Sequence, residues 1–242
     1  MLFANFFRGK NKQANEESTF KIAVITSISG ISNKLENPKI VFDNVDYFAF
    51  VDKIQNNSIW NQRLISDFTT DDKYQGRRNA KIFKVLPHLF LPDYDYFFWV
   101  DSTHELILDP HYVIKNIIFE ANIALFRHSQ RNCVYDEADE LIKLNYDHVS
   151  LIADQIDFYK SKNFPKDAGL FELPCSIRRN TPSINTLNLM WWELICKYSS
   201  RDQISLPFAM HKLKIEPFIL EGFANNGFYS NKIMPQVRNK FY

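Results

Sequence analysis

The stretch YFFWVDSTHELILDP (96–110) decides how this chain is read. Its first five residues are apolar without interruption, as a strand covered on both faces requires, and Asp101 ends the run abruptly. With Asp95 in front, the run predicts a central strand over 95–100. Asp109-Pro110 then supplies an N-cap with proline at the first helical position, which opens a helix to about residue 119.

Working outward, KIAVITSI (21–28) is a β-branched apolar run that ends in Ser29-Gly30 and reads as a buried strand feeding a loop. DYFAFVD (46–52) is a second strand, closed by Asp52, and 63–68 a third. From Asn79 the period changes. Ile82, Phe83, Leu86, Leu89 and Phe90 share one helical face, with Lys81, Lys84 and His88 elsewhere, and Pro87 should kink or end the helix.

Downstream, 122–126 reads as a strand. A helix over 134–144 turns Val134, Ala138, Leu141 and Ile142 inward, and one over 148–162 does so with Val149, Ile152, Ile156 and Tyr159. Thr181-Pro182 caps a helix with the stripe Ile184, Leu187, Trp191, Leu194 and Ile195. Ser200-Arg201-Asp202-Gln203 has capping-box spacing and starts the last helix. Strands alternate with helices in the first half. The expected fold is therefore α/β, with a mostly parallel sheet covered by helices on both faces. It forms a single domain over 20–223, between a flexible polar tail at 1–19 and a C-terminal tail at 224–242.

Of the 242 residues 45% are hydrophobic, enough for a core, and the net charge of +1 gives no bulk electrostatic case for a nucleic-acid or acidic-membrane partner. The cysteines Cys133, Cys175 and Cys196 form no CxxC pair, which argues against a disulfide framework or zinc knuckle and for a reducing, cytoplasmic setting. No apolar run is long enough to cross a membrane. The opening MLFANFFRGK is too short and too soon polar for a signal peptide. Leu2, Phe3, Phe6 and Phe7 would form one apolar helix face suited to weak contact with the cytosolic side of a membrane; a frayed tail is the plainer reading.

In open α/β sheets ligands bind beyond the carboxyl ends of the strands, where Ser29, Asp52 and Asp101 are expected. Asp101 is the sharpest signal, since a carboxylate there can meet a ribose or a hard divalent cation. Paired carboxylates usually hold such a cation, but the triplet here is Asp101-Ser102-Thr103, and Glu105 comes two residues too late. Arg77, Arg78 and Lys81 place three cations at a helix start. The helix dipole favours acidic residues there, so the mismatch suggests a bound anion as readily as a solvated face. His128, Arg131 and Glu137 bracket the end of the 122–126 strand. They, and likewise Glu172, Arg178 and Asp202-Gln203, read singly as structural.

Taken together, RRNAKIFKVLPHLFLP (77–92), YFFWVDSTHELILDP (96–110), RHSQRNCVYDEA (127–138), GLFELPCSIRRNTP (169–182) and SSRDQISL (199–206) resemble a known family in order and spacing, over residues 21–213. It is the glycosyltransferase-like family formerly catalogued as a domain of unknown function, which includes plant mucilage hexosyltransferases and a plant protein labelled as an alkaline ceramidase. The family's strand-end motif is itself Asp-Ser or Asp-Gly followed by a non-acidic residue. The resemblance implies a GT-A-like nucleotide-sugar fold and transfer of a hexose-type sugar from a nucleotide-sugar donor to a glycan or other hydroxyl acceptor. By resemblance the positions carried over are Arg78, Lys81, Asp101, His128, Arg131, Glu172, Arg178, Asp202 and Gln203. Glu172 and Asp202 are the candidate catalytic carboxylates; the others, with Ser29, Asp52 and Arg77, are candidates for donor binding.

Whether Mn²⁺ or Mg²⁺ takes part is left between two alternatives. In the favoured one Asp101, helped by His211, holds the cation only when donor is present. In the other Arg77, Arg78 and Lys81 replace it. The chain reads as a free-standing microbial version, so the plant acceptor does not transfer. Rival readings are a GT-A-fold protein that binds nucleotide or glycan without turnover, and an amidase or ceramidase-like hydrolase. No GxSxG elbow or HExxH motif supports the hydrolase.

Overall fold

The computed structural model describes residues 20–29, 34–56, 58–65, 75–222, 224 and 236–237. In chain order the elements begin with β1 (Ile22–Ile28), β2 (Val45–Val51), β3 (Asn61–Leu64), α1 (Gln75–Val85), α2 (Pro87–Phe90), β4 (Tyr96–Val100) and β5 (His104–Glu105). There follow α3 (Pro110–Val113), continued by a wider helical turn over Ile114–Ile118, then β6 (Ile123–Arg127), α4 (Val134–Lys143) and α5 (Val149–Ser161). β7 (Phe171–Arg179), α6 (Pro182–Lys197), α7 (Asp202–Leu213), β8 (Phe218–Leu220) and β9 (Gln236–Val237) complete the chain.

Among the described residues the main sheet has seven strands in the order β3-β2-β1-β4-β7-β6-β8. The expected central strand is central, and Trp99 within it is buried. The sheet is mixed rather than mostly parallel. β1 pairs in parallel with β2 and β4, β2 with β3, and β6 with β8, but β7 runs antiparallel to both β4 and β6. β7 carries Glu172, Pro174 and Arg178, so its sequence does not read as a strand. The irregular pairing of β6 with β7 between Ala124 and Phe126 accommodates its proline.

The two faces are covered unequally. One packs Ile25, Phe50, Phe97 and Trp99 against Ile82, Phe83 and Leu86, against Trp191 and Ile195 of α6, and against Phe208 of α7. The other packs Val24, Tyr96 and Phe98 against Leu35, Trp60, Val113, Ile114 and Ile118, so one short helix and a long loop replace the expected second helical layer. α1 ends at Val85, ahead of Pro87. The short turn that follows leaves Leu89 exposed rather than on the inner face. Val149 is likewise exposed. The 1–19 tail, with Leu2, Phe3, Phe6 and Phe7, lies outside the described residues, as do Gly30 and residues 66–68 of the third expected strand. Past 223, Ala224 accepts a bond from the His104 ring at 3.2 Å, and β9 pairs with β5, so these residues join the domain.

Candidate functional site

Because β7 runs against its neighbours, its amino end lies with the carboxyl ends of β1, β2, β4 and β6 along one sheet edge. Ser29 follows β1 and is half-buried; Asp52 follows β2 and is exposed. Asp101 follows β4, and its backbone N–H donates to Pro174 O at 2.7 Å. His128 follows β6, while Glu172 pairs with Phe126 near the start of β7. Asp52 is two strands from Asp101, about 10 Å at ordinary strand spacing.

A charged cluster sits on the helical side of this edge. Lys81 and Lys84, three residues apart on one face of α1, both reach Asp202 at the start of α7. The Lys81 ammonium lies 2.6 Å from Asp202 Oδ1, and that of Lys84 lies 2.7 Å from Oδ2 and 3.8 Å from Asp101 Oδ1. The Trp99 indole N–H donates to the same Asp101 oxygen at 2.6 Å, and the Lys84 ammonium stands 5.5 Å from the Trp99 ring centre. Burial alone would raise the Asp202 carboxyl, but Lys81, Lys84 and Arg201 hold it far below its ordinary value. Burial outweighs Asp202 at Lys81 and pushes its ammonium down to about 8. Lys84, expected away from the core, is the main residue that sequence reasoning missed.

Asp202 is held in place from behind. The Trp191 indole donates to Asp202 O at 3.1 Å. Asp147, fully buried, accepts from Ser199 Oγ at 2.9 Å and from both Ser200 Oγ and Ser200 N at 2.7 Å. The expected capping box therefore does not form. The Ser200 hydroxyl is taken by Asp147, and α7 starts behind Arg201 with no side-chain cap. Gln203, expected to close that box, donates to Phe171 O at 3.3 Å and accepts from Arg201 at 3.0 Å, which ties α7 to the amino end of β7.

The arginines take different places. Arg78, in α1, donates to Ile195 O at 3.5 Å and Tyr198 O at 3.2 Å, carbonyls at the end of α6. The Arg77 backbone is in the first turn of α1, and its side chain lies outside the described residues. Arg178, by contrast, is 1% exposed and faces no crevice. It donates to Lys84 O, to Val85 O at 3.1 Å and to Asn188 Oδ1 at 2.6 Å. A cation against the terminal carbonyls of α1 is favoured by the helix dipole. Its observed task is to fasten α1, β7 and α6 together.

On the β6 side, Arg131 donates to Glu137 Oε2 at 2.6 Å. His128 Nδ1 accepts backbone N–H groups from Gln130 and Arg131 at 3.2 and 3.1 Å, so the neutral ring carries its proton on Nε2, 3.7 Å from Glu137 Oε2. Burial holds His128 below its ordinary value against the pull of Glu137. Glu172, buried beside this group, accepts the Ser129 N–H at 3.1 Å.

On the opposite side of the edge a narrow cleft, open to solvent, is lined by Thr26, Tyr47, Trp60, Asp101, Ser102 and Glu105 among others. Tyr47 and Trp60 meet edge-to-face at 5.6 Å, and the buried Thr26 hydroxyl has no hydrogen-bond partner. None of these three was singled out from sequence. Asp101 belongs both to this cleft and to the lysine cluster.

One of the two Asp101 oxygens is poorly placed for a hard divalent cation. Oδ1 already faces an indole N–H and an ammonium. A doubly charged ion on that oxygen, roughly 5 Å from the Lys84 ammonium, would meet about 7 kcal/mol of repulsion at an effective dielectric of 20, less where solvent screens it. His211 does not join Asp101. It packs edge-on against Phe164 at 5.2 Å, and it lies nine residues along α7 from Asp202, about 13 Å away. Among the described residues no group of three His, Cys, Asp or Glu could hold a metal ion.

A family model described as TOD1/MUCI70, glycosyltransferase-like domain, matches residues 5–235. Probable hexosyltransferase MUCI70 of Arabidopsis thaliana is 30% identical over 166 residues, which are 64% of this chain and 28% of that protein. The chain thus spans little more than a quarter of this curated relative. Among solved structures, apo mouse xyloside xylosyltransferase 1 aligns with a TM-score of 0.47 and 9% identity, over 84% of this chain and 85% of that one. Core-mannan synthase A of Aspergillus fumigatus, in a Mn/GDP form, aligns at 0.41 and 8%, over 78% and 69%. The apo WbbM bifunctional glycosyltransferase aligns at 0.43 and 10%, over 83% and 39%.

Proposed function

The chain belongs to the TOD1/MUCI70 glycosyltransferase-like family, and from that premise we propose that it transfers a hexose-type sugar from a nucleotide-sugar to a hydroxyl acceptor on a GT-A-like scaffold. The observation that carries this reading is the double membership of Asp101. It borders an aromatic-walled cleft on one side of the sheet edge and a pair of lysines on the other. A nucleoside diphosphate laid across Asp101 places its base at the mouth of that cleft, on the side of the Tyr47–Trp60 pair. Its ribose then meets Asp101, and its phosphates run on toward the lysine pair around Asp202.

In the transfer step the acceptor oxygen bonds to the anomeric carbon. The bond from that carbon to the phosphate oxygen breaks, and its electron pair leaves on the nucleoside diphosphate. The acceptor proton passes to a carboxylate if the centre inverts, or to the leaving phosphate if it is retained. Asp202, held ionised by two ammonium groups, is a weak base, so Glu172 is assigned the acceptor side. Phosphate charge developing on departure is stabilised by cations already in place.

A panel of nucleotide-sugars incubated with the protein tests the reading. Slow release of nucleoside diphosphate from one donor, accelerated by a glycan acceptor, is the expected result. Tight binding without release would make the protein a non-catalytic nucleotide or glycan binder. Amide hydrolysis with no response to any donor would make it a hydrolase.

A further inference from the structure

We infer that Lys81 and Lys84, preset by Asp202, take the place of a divalent cation at the leaving diphosphate, so that diphosphate binding needs no metal. The inference rests on the nucleotide-sugar reading above and names the device by which that site would manage phosphate charge.

The geometry is that of an ammonium pair around one internal counter-ion. Each lysine contacts a different oxygen of Asp202, at 2.6 and 2.7 Å, so the two ammonium groups flank the carboxylate much as they would flank a bridging phosphate. Asp202 cannot drift. Asp147 and the Ser199–Ser200 hydroxyls fix the loop before it, and the Trp191 indole holds its carbonyl. Arg201 adds a third cation to the neighbourhood. Of the two lysines Lys81 is the more open, its side chain 16% exposed against 5% for Lys84, so an anion arriving from solvent reaches Lys81 first. Lys84 lies behind, between Asp101 and Asp202.

The other acidic and imidazole groups at this edge are already engaged. Glu105 accepts the Lys39 N–H at 2.9 Å and pairs with the Lys39 ammonium at 3.2 Å. His104 contacts Thr103 Oγ1 through one ring nitrogen and Ala224 O through the other, at 2.9 and 3.2 Å. A hard cation wants several oxygen ligands. Here Asp101 Oδ1 and both Glu105 oxygens face N–H donors and ammonium groups instead.

Calorimetry on the full chain tests this, with UDP, GDP, ADP, CDP and inorganic pyrophosphate as probes, each in EDTA and in Mn²⁺. The expected result is that pyrophosphate and at least one nucleotide bind with the same affinity, within about threefold, in both conditions. Lys84→Met should lose at least about tenfold in EDTA. If that variant does not fold, the more exposed Lys81→Met should show the same loss, with Lys81→Arg restoring it. Asp101→Asn separates the two devices. Pyrophosphate affinity should hold or rise when a neighbouring negative charge is removed, whereas a metal-bridged site would lose affinity. Binding that collapses in EDTA and returns with Mn²⁺ would overturn the inference and leave sugar transfer standing. EDTA-resistant pyrophosphate binding with no nucleotide bound would keep the ammonium site and remove the nucleotide-sugar reading. Binding of no probe would remove both.

Discussion

The Lys81 ammonium lies 2.6 Å from Asp202 Oδ1 across 121 residues of sequence. This contact joins the first helix of the domain to its last long one, and it sets the charge state of the proposed phosphate site. Lys81 is held down to about 8, first by burial and then by the nearby Lys84 and Arg201, with Asp202 pulling the other way. An anion binds the protonated lysine. Affinity for pyrophosphate should therefore be steady below about pH 7 and weaken as pH rises through 8 to about 9. In Lys81→Arg the weakening should disappear from that range, because arginine stays charged. Calorimetric titration at a series of pH values checks both. A flat wild-type profile would remove Lys81 from the anion site.

Acid should destabilise the protein through two carboxylates. At Asp147 burial alone would raise the carboxyl, but bonds from Ser200, the His148 N–H and Ser199 bring it below its ordinary value, and Asp202 is lowered further. A carboxyl lowered in the folded state contributes stability that is full above the ordinary carboxylate range, about pH 4, and is lost as pH falls below it. Urea unfolding midpoints should drop steeply between about pH 5 and pH 3. In Asp147→Asn the midpoint at pH 7 should be lower by about 2 kcal/mol of stability, and its fall with acid shallower. Equal slopes for the two proteins would show that Asp147 contributes nothing to the acid response.

Replacing Arg178 by lysine should be costly although the charge is kept. One ammonium cannot serve Lys84 O, Val85 O and Asn188 at once, and the guanidinium geometry does. A loss of about 3 kcal/mol is expected, or roughly 6–12 °C in melting temperature for a domain of this size. Differential scanning fluorimetry reads this directly. A change below about 2 °C would mean that the α1–β7–α6 junction does not depend on it.

Glu172→Gln tests the assignment of chemistry. The amide keeps the size of the side chain and can still accept the Ser129 N–H, so the fold should hold. Turnover should fall by about a hundredfold or more while nucleotide affinity changes less than about threefold. A parallel loss of both would make Glu172 a structural residue of the β6–β7 edge.

The sequence made the first half of the sheet plain for a physical reason. β1, β2 and β4 are buried over nearly all their length, and most of their residues are apolar or β-branched. β7 is just as central but could not be read that way. Its buried Arg178 and Glu172 find their partners in helix-end carbonyls, the Asn188 side chain and a backbone N–H far away in sequence. The mixed sheet followed from that one strand. Lys84 was assigned away from the core because a lysine on a helix is usually solvated, and only folding brings Asp202 to it. Ser200 to Gln203 matched a capping pattern, yet Asp147 competes for the serine. Asp101 and Lys81 stood out by their place at a strand end and a helix start, whereas His128 and Arg131 read as structural on spacing and entered only through the family resemblance. Thr26, Tyr47 and Trp60 did neither, since nothing local marks three scattered residues as the walls of one cleft.

The place of β4 between β1 and β7 also governs how this chain can be made. β4 ends at Val100 and its second neighbour begins at Phe171, so 71 residues (171 minus 100) must be synthesised before that edge can be covered. At about 5–20 residues per second the wait is roughly 4–14 s. Throughout it, the most apolar strand of the protein offers an unpaired backbone edge, a template for pairing with other nascent chains. Stalled ribosomes carrying chains that end between residues 101 and 170 should therefore recruit holding chaperones most strongly, and that recruitment should fall once β7 has emerged.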